Sequence, residues 1–420
     1  MQLYVELVLF ASARLRCSAR AMEIVMRFLG LPAGSPCWSC GRLWVLRLGY
    51  FKLTRAKEQA TDWAWIIDHT VQVGSDKCFV ILGIRLSSLP PRGKCLCHED
   101  VEPISLHPVR ESNGQIVFEQ LEEAARKTGV PRQIIGDHGT DLLLGVEMFL
   151  KEHPESCATY DIKHKTASIL KRELKADARW LSFSSMCAKS AERLRQTDLA
   201  HLSPPNQRSK SRYMNIDVLI GWGSKVVCFL DAPLLDKEIS PGELDAKLGW
   251  MRDYRDEIAR WEALFSVIGE AESFVRKEGL YRKCHRDLQT RLDPLARTDQ
   301  SKRIACELTR FVAEECFKAK PGERLLGSSE VIESVFGKLK YMEGNQAMSG
   351  FTALVLSLAA MVSKTTGEIV RKAMETVRTK DMLEWCRTTL AKSVQAKRRA
   401  ITLACKPEQN RDEIQAAAGT

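Results

Sequence analysis

The chain predicts a mixed α/β fold interrupted by an all-helical segment, and three observations carry that prediction. Apolar, β-branched runs crowd between Asp62 and Tyr160, whereas from Asp177 to Gly322 the pattern is helical and charged. Two of the runs end on an acid: WAWII runs into Asp68, and RQIIG into Asp137. The element order this implies, β-β-β-α-β-α-β-α, places both acids at one sheet edge if the first and fourth strands lie side by side and parallel.

Residues 1–60 have the pattern of helices. Ser18–Leu29 is amphipathic, Gly30–Pro36 breaks it, and a second helix over Cys37–Leu48 carries Arg42 and Arg47, with Gly49 placed to end it. Two helices joined by a short Gly-containing turn outline a helix-turn-helix reader of the DNA major groove; an ordinary helical hairpin has the same outline. Trp63–Val71 and Lys77–Leu86, separated by Gly74-Ser-Asp, predict a hairpin, and Pro103–Val109 a third strand. Asn113–Lys127 is helical with Ile116, Val117, Leu121 and Ala124 on one face, and Gly129 stops it. Arg132–Ile135 is the fourth strand, Leu142–Glu152 a helix, Cys157–Tyr160 a short strand and Lys165–Leu174 another helix.

The helical stretch after Asp177 holds Trp180, Trp222, Trp250 and Trp261 and one basic polar loop, Pro204–Tyr213. The economical reading is an all-α insertion into the α/β domain. Leu325–Lys340 follows as a helix bearing Glu330, Glu333, Lys338 and Lys340, and residues 346–420 are helical with a basic end at Lys397-Arg398-Arg399. The expected organisation is an N-terminal helical domain (1–60), the first part of the α/β core (61–178), the insertion (179–322), the final core helices (323–362) and a basic helical C-terminal region (363–420).

Composition narrows the partners. The net charge of +10 over 420 residues is uneven: residues 1–60 hold nine Arg and Lys against three Glu. That bias favours a polyanion partner, although solubility alone accounts for a basic end. The 14 Cys form no disulfide framework, which suits a reducing compartment, and Leu3–Ala13 is too short to span a bilayer, so a cytoplasmic protein is expected. Cys37-x-x-Cys40 is half of a zinc signature with no second pair at finger spacing, which leaves two unrelated thiols as the better reading; Cys95-x-Cys97-His98 is similar. No P-loop or dinucleotide glycine loop is present, so no nucleotide cofactor is implied.

IIDHT on the first strand, IIGDHGTD on the fourth, YDIKHK just after it, the long helical segment and IESVFGKLK on a late helix occur in this order. Together they resemble the catalytic core of bacterial insertion-sequence transposases of the DDE class, and more narrowly the branch with an all-α insertion before the final Glu, related to Mutator-like and hAT-like transposases. The resemblance runs from the N-terminal helices to about Val362. It implies an RNase H-like mixed sheet with flanking helices, and it implies Asp68, Asp137 and Glu333 as catalytic carboxylates. Glu330 stays open as the alternative third acid. Lys340, seven residues beyond Glu333, would share its helix face, and Asp161-x-x-His164 resembles an accessory Cys/Asp-x-x-His element, here with Asp for the commoner Cys.

The chemistry calls for these residue types. Two-metal phosphodiester transfer needs hard oxygen ligands that leave positions open for phosphate and water, which suits carboxylates with Mg²⁺ or Mn²⁺. Asp68 is expected to bridge two ions, Asp137 to bind one and Glu333 the other. Taken singly, each acid is equally well a turn residue, a helix cap or a solvated face, and Asp141 is best read so; the ordered trio favours catalysis. Arg208, Lys210 and Arg212 are expected on phosphates, and Trp222 or Trp250 on an unstacked base, with core packing the plainer role for a helical Trp. The resemblance further implies DNA partners (terminal inverted repeats and target DNA), a homo-oligomeric synaptic complex and a nucleoid-associated bacterial location. An RNase H-like nuclease without joining activity, or an inactive transposase-derived DNA-binding protein, are the alternatives.

Overall fold

The computed structural model describes residues 1–11, 14–31, 37–73, 76–206, 216–231, 240–344, 352–390, 398 and 400–402. Among them no helix is long and apolar enough to cross a membrane. The chain divides into two compact units, one built from Met1–Thr159 with Ser329–Thr420 and the other from Tyr160–Ser328. The second unit therefore has wider limits than the 179–322 expected from composition.

The first unit is organised on a five-stranded sheet of order β3-β2-β1-β4-β5, with β1 Trp63–Val73, β2 Asp76–Arg85, β3 Glu102–Val109, β4 Gln133–Gly136 and β5 Cys157–Tyr160. β1 pairs antiparallel with β2 and parallel with β4, and β2 pairs antiparallel with β3. A mixed sheet of this topology is compatible with an RNase H-like core. Side chains alternate across it, so Trp63, Trp65, Ile67, Phe79, Ile81, Ile104 and Ile134 share one face. That face is covered by α4 (Gly114–Thr128) and α5 (Thr140–Glu152) through Val117, Leu121, Ala124, Leu142, Val146 and Phe149. α4 starts where the Asn113 side chain accepts the Ile116 N–H and stops at Gly129, whose φ of +83° suits glycine.

α1 (Gln2–Leu9), α2 (Leu15–Phe28) and α3 (Trp38–Thr54) belong to the same unit. α3 packs against three late helices, α14 (Leu356–Met361), α15 (Gly367–Thr376) and α16 (Thr379–Thr389), with Leu46, Leu356, Val377 and Met382 at the centre of the contact. It does not end at Gly49 as expected. Gly49 lies inside the helix, where a Cβ would stand 1.9 Å from the Leu356 carbonyl oxygen, so glycine serves close helix approach and not termination. Residues 1–60 do not stand apart as a compact unit but belong to the first one, where α3 is apolar on most of its circumference and is covered from several sides. Arg47 donates to the Val377 and Met374 carbonyls at 2.8 and 2.5 Å, and Arg42 is half-buried.

Lys52, on the last turn of α3, is fully buried. Its Nζ lies 3.2, 2.7 and 2.9 Å from the carbonyl oxygens of Ala360, Val362 and Ser363, and 2.6 Å from Thr365 Oγ1. The ammonium thus satisfies carbonyls that the end of α14 leaves without helical partners. Burial draws its pKa down to about 7, with Arg55 and Lys57 pulling the same way and Glu102 and Glu99 opposing.

The second unit is mainly helical: α6 (Ile162–Lys175), α7 (Ala178–Leu194), α8 (Ile216–Asp231), α9 (Pro241–Leu248), α10 (Arg255–Glu278), α11 (Cys284–Leu292) and α12 (Asp299–Cys316). Trp180, Phe183, Trp250, Tyr254 and Trp261 form one aromatic cluster, with Trp180 edge-on to Trp261 at 5.0 Å. Asp177 caps α7 through the Arg179 and Trp180 N–H groups and accepts from Arg260. Two strands of two residues, β6 (Leu280–Tyr281) and β7 (Arg324–Leu325), pair antiparallel; they are too short for a sequence period to reveal. The chain then returns to the first unit through α13 (Glu330–Gly344).

Candidate active site

The register of β1 against β4 positions the first two acids. Ala64 pairs with Gln133, Ile66 with Ile135 and Ile67 with Gly136. Asp68 is the next residue of β1 and Asp137 the first residue after β4, on strands about 4.8 Å apart. Asp68 belongs to the face opposite the α4 and α5 layer, because Trp65 and Ile67 point into that layer. Both acids are half-buried. Asp68 Oδ1 accepts the His69 N–H at 2.6 Å, and Asp137 Oδ1 accepts the Gly139 N–H at 3.1 Å. A Cβ at Gly139 would lie 3.3 Å from both Asp137 Oδ1 and Asp141 Oδ1, so a side chain there would crowd both carboxylates.

The helix carrying the third acid packs on β1. α13 buries Val331, Ile332, Val335, Phe336 and Leu339 and leaves Glu330 and Glu333 half-buried. At 100° per residue, Glu333 and the exposed Lys340 fall on one edge of this helix, while Ser334 and Lys338 fall on the other. The latter edge is held by His98, whose Nε2 is 3.1 Å from Ser334 Oγ and whose Nδ1 is 3.2 Å from Lys338 Nζ. Among the described residues, no three His, Cys, Asp or Glu side chains gather closely enough to hold one metal ion. The donors fit Mg²⁺ in kind, being hard oxygens on adjacent strands and on a helix packed on β1. They are not drawn into one coordination shell in this arrangement.

At the same end of the sheet, on its opposite face, lies a polar cluster that sequence reasoning missed. His69 Nε2 is 3.2 Å from Ser112 Oγ, its Nδ1 is 3.9 Å from Asp141 Oδ2, and Lys77 Nζ is 4.0 Å from the same oxygen. Burial lowers the His69 pKa. Burial pushes the Asp141 carboxyl up, but the Ser112 hydroxyl, His69 and Lys77 outweigh it and hold the group below the usual carboxylate range. Asp141 is thus a partner of His69 as well as a first-turn residue of α5. The signal lay in IIDHT and GTD, with alternation assigning His69 to the face opposite Asp68.

The other site expectations fall as follows. Asp161 is fully buried and caps α6, its Oδ1 accepting the Lys163 and His164 N–H groups at 2.5 and 3.3 Å. The Trp250 indole N–H donates to Ser190 Oγ at 3.1 Å within the aromatic cluster, and that of Trp222 donates to the Leu202 carbonyl at 3.0 Å. Arg208, Lys210 and Arg212 lie outside the described residues.

No family model matches the chain, and no curated protein does. Among solved structures it is similar to the Drosophila P element transposase strand transfer complex, at 11% identity and a TM-score of 0.39, over 87% of this chain and 92% of that one. Likeness at this level is too low to transfer residues or activity.

Proposed function

We propose that the chain is a DNA transposase of the DDE class, of the bacterial insertion-sequence type, acting by metal-dependent strand cleavage and transfer. The observation that supports this reading best is the β1–β4 register. It pairs Ile67 with Gly136 on neighbouring parallel strands, and Asp68 and Asp137, the acids of the two ordered motifs, are the next residue of each segment. α13 then brings Glu333 and Glu330 in on the helix that packs on β1. Asp68, Asp137 and Glu333 would hold a pair of Mg²⁺ or Mn²⁺ ions, which supply Lewis-acid activation of the attacking and leaving oxygens of a phosphodiester. The chain's own contribution is placement: two acids fixed by strand register, a third set by helix packing, and Lys340 on the edge of α13 that faces the way Glu333 does, suited to a backbone phosphate. The substrates in this reading are DNA ends and target DNA, engaged by a multimer.

The test is strand transfer. Purified full chain is incubated with a pre-cut duplex bearing a free 3′-hydroxyl and a supercoiled plasmid, with Mg²⁺, with Mn²⁺ and with chelator. Metal-dependent joining that drops about 10²- to 10³-fold in Asp68→Asn, Asp137→Asn and Glu333→Gln is expected. Nicking without joining would leave a nuclease, and binding without either would leave a DNA-binding protein. Loss in Glu330→Gln but not Glu333→Gln would move the third acid by one helical turn.

A further inference from the structure

The two thiols that spacing left unrelated meet at the first turn of α3. Cys37 is the N-cap of that helix and Cys40 lies in its first turn; their sulfurs are 3.1 Å apart, within hydrogen-bond contact of two thiols. Both are solvent-exposed. Cys37 Sγ also lies 2.9 Å from Ser39 Oγ and accepts the Cys40 backbone N–H at 3.4 Å, so a hydroxyl, a thiol and a backbone N–H, each able to donate to a thiolate, converge on one sulfur. We propose that Cys37 and Cys40 form a thiol–disulfide exchange site, with Cys37 the attacking thiol and Cys40 the resolving one. This is independent of the DNA chemistry proposed above.

The roles follow from the donors. Hydrogen bonds from Ser39, the Cys40 thiol and the Cys40 N–H stabilise a thiolate at position 37 and draw its pKa down to about 7, while the same contact raises Cys40. The co-reactant is a small disulfide such as glutathione disulfide. The Cys37 thiolate attacks one sulfur of that disulfide; the S–S bond breaks, one glutathione thiolate leaves and takes up a proton, and Cys37 is held in a mixed disulfide. Cys40 then loses its proton and attacks the Cys37 sulfur, expelling the second glutathione. Two protein thiols are oxidised and one small disulfide is reduced to two thiols, so atoms and electrons balance. With the sulfurs already in contact, closure needs about 1 Å of further approach to reach a bond near 2.05 Å.

The test uses the intact chain and needs no activity. Trypsin releases residues 28–42 as one peptide whose only cysteines are these two. Iodoacetamide at pH 7 is expected to label Cys37 at least about tenfold faster than the exposed Cys97 or Cys306. Glutathione disulfide is expected to convert the peptide to an internal disulfide lacking two hydrogens. Cys40→Ser should accumulate glutathione on Cys37, and Cys37→Ser should leave Cys40 unmodified over the same time. Labelling of Cys37 at the rate of Cys97, equal trapping in both variants, or a mixed disulfide that persists without closure in the unaltered chain would each overturn the proposal.

Discussion

Replacing Lys52 by Met tests how the first unit is held together. The substitution keeps the buried stem and removes the ammonium, leaving the carbonyls of Ala360, Val362 and Ser363, now 3.2, 2.7 and 2.9 Å from Nζ, without that donor. Each buried acceptor left unsatisfied costs about 1–3 kcal/mol, and the removed charge gives back several kcal/mol of desolvation. Because the partners are backbone groups that stay in place, the loss outweighs the relief, and a net destabilisation of about 3 kcal/mol is expected. The assay is urea denaturation of wild type and Lys52→Met across pH. Burial holds Lys52 near 7, whereas the unfolded chain keeps its proton to about 10.4. Between those limits the unfolded state binds more protons, so Lys52 adds stability as pH rises. The gap between wild type and variant should therefore widen from about pH 7 to pH 9. A variant as stable as wild type, or a gap that narrows with pH, would refute the reasoning.

Gly49→Ala should destabilise: forcing a Cβ 1.9 Å from the Leu356 carbonyl costs about 1–3 kcal/mol, which exceeds the roughly 1 kcal/mol gained in helix propensity; thermal melting checks it. Burial holds His69, His98 and His107 below their ordinary value, so the unfolded chain takes up protons first and stability should fall as pH drops from about 7 to 5. Denaturation midpoints over that range report it, and His69→Gln should flatten part of the slope. Mg²⁺ at about 100 times its dissociation constant should stabilise wild type by about 2.7 kcal/mol, and Asp68→Asn or Asp137→Asn by much less, as read from melting curves. Trp250→Ala should cost about 3 kcal/mol through the Phe183 and Tyr254 contacts; lost DNA affinity at unchanged stability would instead mark a base-stacking role.

Local signals made much of the sheet legible. Alternation in WAWIIDHT, the break at Gly74, and Asn113 and Gly129 around a 3.6-residue period placed β1, β2 and α4 within a residue or two of their ends. What escaped depends on contacts far along the chain. Gly49 has the appearance of a helix stop until Leu356 is seen against it, and Lys52 looks like a solvated lysine until residues 360–365 close around it. β6 and β7, at two residues each, carry no period at all. At the site, the element order sufficed to set the strand carrying Asp68 parallel and next to the strand that leads into Asp137. It did not show that His69 and Asp141 would pair, since that needed the start of α5 to sit beside β1.

The division of the first unit into two stretches of chain sets the order in which it can be made. Ala64, Ile66 and Ile135 are fully buried on the face that carries Asp68, yet α13, which packs on β1, is translated only after the whole of Tyr160–Ser328. At ribosomal speeds that interval is on the order of ten seconds, during which an apolar sheet face waits for its lid. A nascent chain stalled before Ser329 should therefore bind holdase chaperones, and release from them should coincide with synthesis of the last quarter of the protein.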